Sequence, residues 1–416
     1  MKYTFFLFLF ILSGREISAN VSRINNKSAT SYRKNYQRVA SGPSSSSTFE
    51  IRDGSLWAWG NNISGELGDG TTTNRLSPVK IGSEANWVCV AAGSHTLGVK
   101  SDGTLWAWGN NSFGQLGDGT KINRLSPIQI GSDTKWVSIA AGDGYTFGIK
   151  SDGTLWACGA NGYGQLGDGT TIDKTSFVQI GIATNWVNIT IGNGHALGIK
   201  SDGTLWAWGY NAFGQLGDGT TVNKSNPIQI GAATNWVNIV AGYYHTLGIK
   251  ADGTLWAWGK NDFGQLGDGT IINKSSPIQI GSSTNWVSIT GGGYHTMGIK
   301  TDGTLWAWGR NSNGQLGDGT KVNKSSPLQI GTGNNWVYTA ALFNHSLGIK
   351  SDGSLWTWGR NDTGQIGDGT KIERTSPVRI NTILNWIGFF TGGEHTLGIK
   401  STGVLWAWGR NTEGQL

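Results

Sequence analysis

The motif Asp-Gly-Thr/Ser-Leu-Trp starts at Asp53, Asp102, Asp152, Asp202, Asp252, Asp302 and Asp352, with a partial eighth copy from Thr402. The interval is 49 residues once and 50 thereafter, and all 22 Trp fall into series set by it. A fixed period of this length marks a solenoid or a propeller, in which one supersecondary unit stacks on copies of itself. Composition supports the same class. The chain holds 67 Gly in 416 residues and only 14% charge, against roughly 7% Gly and roughly 25% charge in ordinary globular proteins. A generic helical or α/β enzyme is excluded, and the chain reads as one array instead of two or three domains.

One copy resolves into four short strands. Residues 97–100 form strand a, Ser101-Asp102-Gly103 a hairpin turn of the kind Asp-Gly favours, and 104–108 strand b. A long Gly-rich loop leads to strand c at 128–130, and 136–140 form strand d. In strand b, Leu105 and Ala107 point to one face and Trp106 and Trp108 to the other, because side chains alternate along a strand. Both faces are apolar, so each sheet needs cover on both sides, as propeller blades provide for one another.

The run Ala-Gly-x-x-His-Thr-Leu-Gly-Ile-Lys-x-Asp-Gly-Thr-Leu-Trp-Ala-Trp-Gly-x-Asn-x-x-Gly-Gln-Leu-Gly-Asp-Gly-Thr at 241–270 closely resembles the regulator of chromosome condensation repeat. The resemblance covers 48–416 and returns in every copy. It implies an all-β, seven-bladed β-propeller of four-stranded blades. Strands a and b occur eight times and c and d seven, which makes 30 strands. Seven blades would leave one terminal hairpin surplus. The chain stops inside a Gly-Gln-Leu-Gly motif, at Leu416, which suggests a truncated reading frame or a displaced end.

The N-terminus carries Lys2 and then an eight-residue apolar run at 5–12. A spanning helix needs roughly 20 residues, so the run fits a signal-peptide core. We expect a signal peptide over 1–19, cleaved after Ala19, and a secreted, periplasmic or cell-surface protein with no membrane insertion. Residues 20–47 are polar and Ser-rich and read as a disordered linker. The net charge of +6 sits in the first 48 residues; beyond them 25 basic residues balance 25 acidic ones. Nucleic acid is therefore not an expected partner, since phosphate binding needs clustered positive charge. Cys89 and Cys158 stand in different repeats and make no disulfide framework.

All six His (95, 195, 245, 295, 345, 395) occupy one repeat position, where copy two has Tyr145. Metal ligands must converge within about 2 Å of one ion, which equivalent atoms in neighbouring blades do not. Each Asp of the Gly-Asp-Gly series (69, 118, 168, 218, 268, 318, 368) is flanked by Gly and reads as a turn former bonding its own loop. Basic residues at 75, 124, 174, 224, 274, 324 and 374 follow in the same loops and read as a solvated rim balanced by that Asp. No nucleophile stands outside the repeat pattern, so neither catalysis nor a cofactor is expected.

Differences between copies are more informative, because a ligand needs one asymmetric patch. The b-to-c loops and d-to-a connections share one end of the blades. There, copies four to six gather Tyr210, Tyr243, Tyr244, Lys260, Tyr294, Arg310 and Phe343, types enriched at binding hot spots. These are the candidate partner-binding residues. The expected function is a monomeric, non-enzymatic, secreted propeller binding a protein partner, as an inhibitor or as an adhesion or interaction scaffold. The resemblance also implies an alternative, guanine nucleotide exchange on a small GTPase, but that activity uses a wedge-like insertion for which uniform copies leave no room. Carbohydrate binding through Trp is a third reading, weakened by the placement of Trp in strands.

Overall fold

The computed structural model describes residues 39–41, 46–382 and 384–416. The expected signal peptide and most of the expected linker lie outside the described residues. The chain forms eight antiparallel sheets, seven of four strands and one of three. The first blade comprises β1 (Val39–Ser41), β2 (Ser47–Arg52), β3 (Ser55–Gly60) and β4 (Arg75–Ile81). The second comprises β5 (Trp87–Ala92), β6 (His95–Lys100), β7 (Leu105–Gly109) and β8 (Arg124–Gln129). Blades three to seven repeat this plan within 136–179, 186–229, 236–279, 286–329 and 336–379, and blade eight holds Trp386–Thr391, His395–Lys400 and Leu405–Gly409.

Seven blades is therefore corrected to eight. The first strands of most successive blades touch one another, so they surround the axis, and β1 meets the first strands of both blade two and blade eight. Each of the eight a–b hairpins lies in its own sheet. The first does so because β1 supplies its innermost strand, pairing Val39 with Glu50 and Ser41 with Thr48. The hairpin that looked surplus is thus a blade. Residues 39–41 and Ser47 belong to the propeller, within the stretch that composition marked as linker.

The alternation in strand b holds. Leu105 and Ala107 pack with Trp136, Ile139 and Ala141 of blade three, while Trp108 packs with Phe49, Ile51 and Leu56 of blade one. Trp108 is fully buried but Trp106 only half-buried, so the two Trp are unequal. A buried Trp removes roughly 150–250 Å² from water, worth roughly 4–6 kcal/mol of transfer free energy as an upper bound. Gly98 in β6 makes room for the core, because a Cβ there would lie 2.4 Å from the Trp87 ring. Gly103 closes the hairpin at φ +80°, its N–H donating to Lys100 O at 2.9 Å.

Candidate functional site

The long b-to-c loops are built around a buried Asn. Asn111 Nδ2 donates to Asp118 Oδ1 at 3.0 Å and to the carbonyls of Thr120 and Ile122, each at 3.1 Å, and its Oδ1 accepts from Leu116 N. Asp118 in turn accepts from Thr120 N at 2.9 Å and pairs with Arg124 at 2.5 Å. The same Asp–cation pair recurs at 69–75, 168–174, 218–224, 268–274, 318–324 and 368–374. The Asp series clamps its own loops, as its flanking glycines suggested, and the basic series read as a solvated rim supplies the paired cations of that clamp.

Each loop then docks on the next blade. Gln215 O accepts Thr246 Oγ1 at 2.8 Å and Trp258 Nε1 at 3.0 Å, and Gln265, Gln315 and Gln365 do likewise for the following blades. The last loop obeys the same rule across the closure of the ring, where Thr48 Oγ1 donates to Gln415 O at 3.1 Å. Gly-Gln-Leu at 414–416 thus joins blade eight to blade one.

Beneath these loops lie the histidines, buried to 1% exposure or less. His95 Nε2 meets Thr146 Oγ1 of the next blade at 2.6 Å, and His295 meets Ser346 Oγ at 2.9 Å. Burial holds His95, His245, His295 and His345 neutral, with pKa values lowered to about 3. Tyr145, in place of His, sends its hydroxyl to Gly192 O at 2.9 Å, and the residue opposite it is Ala196 where five of the six other blades from two to eight carry Thr and one Ser. The larger ring and the smaller neighbour compensate each other. Among the described residues no group of three His, Cys, Asp or Glu could hold a metal ion.

Above the histidines the structure brings the candidate residues together. Tyr210 follows the third strand of blade four, and Tyr243 and Tyr244 lie between the first two strands of blade five. Lys260 comes after that blade's third strand, Tyr294 and Arg310 hold the matching positions in blade six, and Phe343 lies in blade seven. All seven are half-buried. Their rings form one connected surface. Tyr210 lies 5.9 Å from Tyr244, Tyr244 4.6 Å from Tyr243, and Tyr243 5.9 Å from both Tyr294 and Phe343.

Phe213, Phe263 and Tyr163 extend this surface and were not among the seven. Phe213 lies 5.1 Å from Tyr244, Phe263 5.3 Å from Tyr294, and Tyr163 4.8 Å from Tyr210. The signal for them is the aromatic series three residues after Tyr210 and its equivalents. Lys260 Nζ lies 4.6 Å from the Phe213 centroid and within 5.8 Å of Tyr244 and Tyr294, and it pairs with Asp262 at 3.1 Å. The Arg310 guanidinium lies 5.4 Å from the Phe263 ring. Tyr244 accepts a 2.8 Å hydrogen bond from Asn193 Nδ2. Burial, and then the neighbouring tyrosines, push its pKa to about 12, so its hydroxyl keeps its proton.

Fold and surface together define a β-propeller with one loop end specialised by aromatic and cationic side chains. The RCC1-like domain family matches 95–397, and the regulator of chromosome condensation (RCC1) repeat matches 53–98 and 387–415, so the chain belongs to the RCC1 repeat family. No curated protein sequence matches it. Among solved structures it is similar to human WBSCR16, with TM-score 0.67 and 20% identity over 83% of this chain and 99% of that one. It is similar also to Prp20p from Saccharomyces cerevisiae, a protein with described binding properties to Gsp1p and histones, with TM-score 0.66 and 23% identity over 95% of this chain and 98% of that one. Yeast RCC1 (Prp20) bound to Kap60 gives TM-score 0.65 at 21% identity over 100% of this chain and 98% of that one.

Proposed function

We propose that this chain is a non-catalytic, exported binding protein that holds a protein partner against the aromatic loop end of blades four to seven. The observation that carries the reading is the unbroken run of ring contacts from Tyr210 through Tyr244 and Tyr243 to Phe343. A chain of half-buried aromatics flanked by Lys and Arg has the composition of an interface centre. The protein-binding behaviour described for Prp20p supports a binding role. Export rests on the N-terminal apolar run, and an inhibitory or scaffolding role would follow from what the partner does when held.

The test is capture with the immobilised propeller, identification of the bound protein, and titration of that protein against variants. Tyr244→Ala is expected to weaken binding by roughly 1–2 kcal/mol or more while the propeller stays folded, and Asn110→Ala in blade two to stay near wild type. Equal effects at both positions would remove the site from blades four to seven.

A further inference from the structure

Position 310 is the third of five successive residues, Tyr210, Lys260, Arg310, Arg360 and Arg410, that occupy equivalent places after the third strand of blades four to eight. The four cations differ in how they are neutralised. Lys260 pairs with Asp262 at 3.1 Å. Arg360 pairs with Asp362 at 2.5 Å and with Glu394 at 3.0 Å. Arg410 pairs with Glu394 at 2.9 Å. Arg310 instead has Ser312 where its neighbours have Asp262 and Asp362, and its Nε donates to Ser312 Oγ at 3.0 Å. Among the described residues no carboxylate lies within ion-pair distance of it. Its guanidinium rests on the Phe263 ring and leaves its outer N–H groups to the loop end.

We propose that Arg310 is the anchor for a carboxylate carried by the protein partner, presented as an Asp or Glu side chain next to an apolar residue that lies on Phe263 and Tyr294. The inference rests on the loop end being the binding surface and adds the chemistry of what sits there. A guanidinium offers two parallel N–H donors that match one carboxylate, and stacking on a ring holds it in place before the partner arrives. Ser312 is the device that keeps it available, because an Asp at that position would occupy it from within the chain. The charge balance favours a single carboxylate over a polyphosphate. The other three cations are already paired with acids, and phosphate-rich ligands need clustered free positive charge.

The probe is a phage-displayed library of random dodecapeptides, selected on the full chain and eluted by excess free propeller. Selected peptides should be rich in Asp and Glu and lose at least tenfold in affinity on Arg310→Ala. They should lose a similar factor on Ser312→Asp, which installs the intrachain carboxylate that blades five and seven already carry. Replacing the acidic residue of a selected peptide by its amide should cost the same factor on wild type and little on Arg310→Ala. Thermal unfolding of Ser312→Asp should match wild type. Peptides that lose affinity on Tyr244→Ala but show no acidic enrichment and ignore Ser312→Asp would overturn the anchor while leaving the loop-end surface standing. Peptides indifferent to Tyr244→Ala would overturn the surface and the anchor with it. Binding of inorganic phosphate or oligo-dT that is lost on Arg310→Ala, in the absence of acidic peptides, would overturn the choice of carboxylate.

Discussion

The two ends of the propeller treat repetition in opposite ways. At the hairpin-turn end every blade from two to eight places a lysine over the same two tryptophans. Lys100 Nζ lies 3.4 Å from the Trp106 centroid and 4.9 Å from that of Trp87, and Lys350 lies 4.4 and 4.8 Å from Trp356 and Trp336. The adjoining turns are uniform from blade two to blade seven, with Asp102 accepting from Thr104 N at 3.0 Å and Asp252 from Thr254 N at 3.0 Å. At the loop end the clamps recur but the tips differ, and aromatic tips cluster only over part of the ring. A contact present in every blade serves the ring as a whole. A contact present in adjacent blades only can give the ring a direction, which recognition of one partner requires.

The largest expected effect strikes the uniform layer. The buried histidines have folded pKa values of about 3 to 4, below the unfolded value of about 6.5. Between those values the unfolded chain binds protons that the folded chain cannot. Their contribution is therefore complete above the unfolded pKa and falls as pH drops toward 4. At pH 5.5 the loss is roughly 1 kcal/mol for each histidine, several in sum, and it precedes the window in which the Asp clamps titrate. Melting temperature measured from pH 7.5 to 5.5 should fall steadily; a flat profile would mean the histidines are not sealed from water.

Single substitutions come next. Trp258→Ala should cost about 3–5 kcal/mol, the range for deleting a buried aromatic, and half-buried Trp256→Ala less than half of that. Chemical denaturation that ranked them equally would break the distinction between the two tryptophans of strand b.

A smaller effect tests the compensated pair. Tyr145→His and Ala196→Thr should each destabilise by roughly 1–2 kcal/mol, and the double variant should recover a large part, because the pair then matches His95 and Thr146. Strict additivity would show that the two sites do not act together. Smallest of all, Lys250→Met at the turn end should cost roughly 0.5–1 kcal/mol, the value of an accessible cation–π contact, and leave partner binding unchanged.

Much of the fold is legible in the sequence because the period is strict. The hairpin count of eight already equals the blade count. What misleads is β1, three residues in a Ser-rich polar stretch with no Trp and no repeat motif to mark them. Without β1 the first hairpin has no inner strand, and the family resemblance favours seven. The alternation of Leu105 and Ala107 against Trp106 and Trp108 assigns faces correctly, but periodicity alone does not reveal that Trp106 lies under Lys100 at the rim. At the loop end, variation between copies locates Tyr244 and Arg310. Phe213 and Phe263 also vary between copies, with Ser64, Asn313 and Thr363 at equivalent places, but only the structure shows their rings closing on Tyr244 and Tyr294. The meaning of Ser312 lies in its difference from Asp262 and Asp362, and that of Ala196 in its departure from the Thr or Ser of the other blades; each matters only beside a second residue, and that adjacency is three-dimensional.

The central claim is that recognition is confined to the loop end of blades four to seven. Hydrogen–deuterium exchange of the full chain with and without the captured partner tests it most directly. The account predicts slowed exchange in the segments around 193–194, 210–213, 243–244, 260–263, 293–294, 310–313 and 343–344, with the turns at 101–103, 151–153 and 251–253 unchanged. Protection spread evenly over all eight blades, or concentrated at those turns, would contradict it.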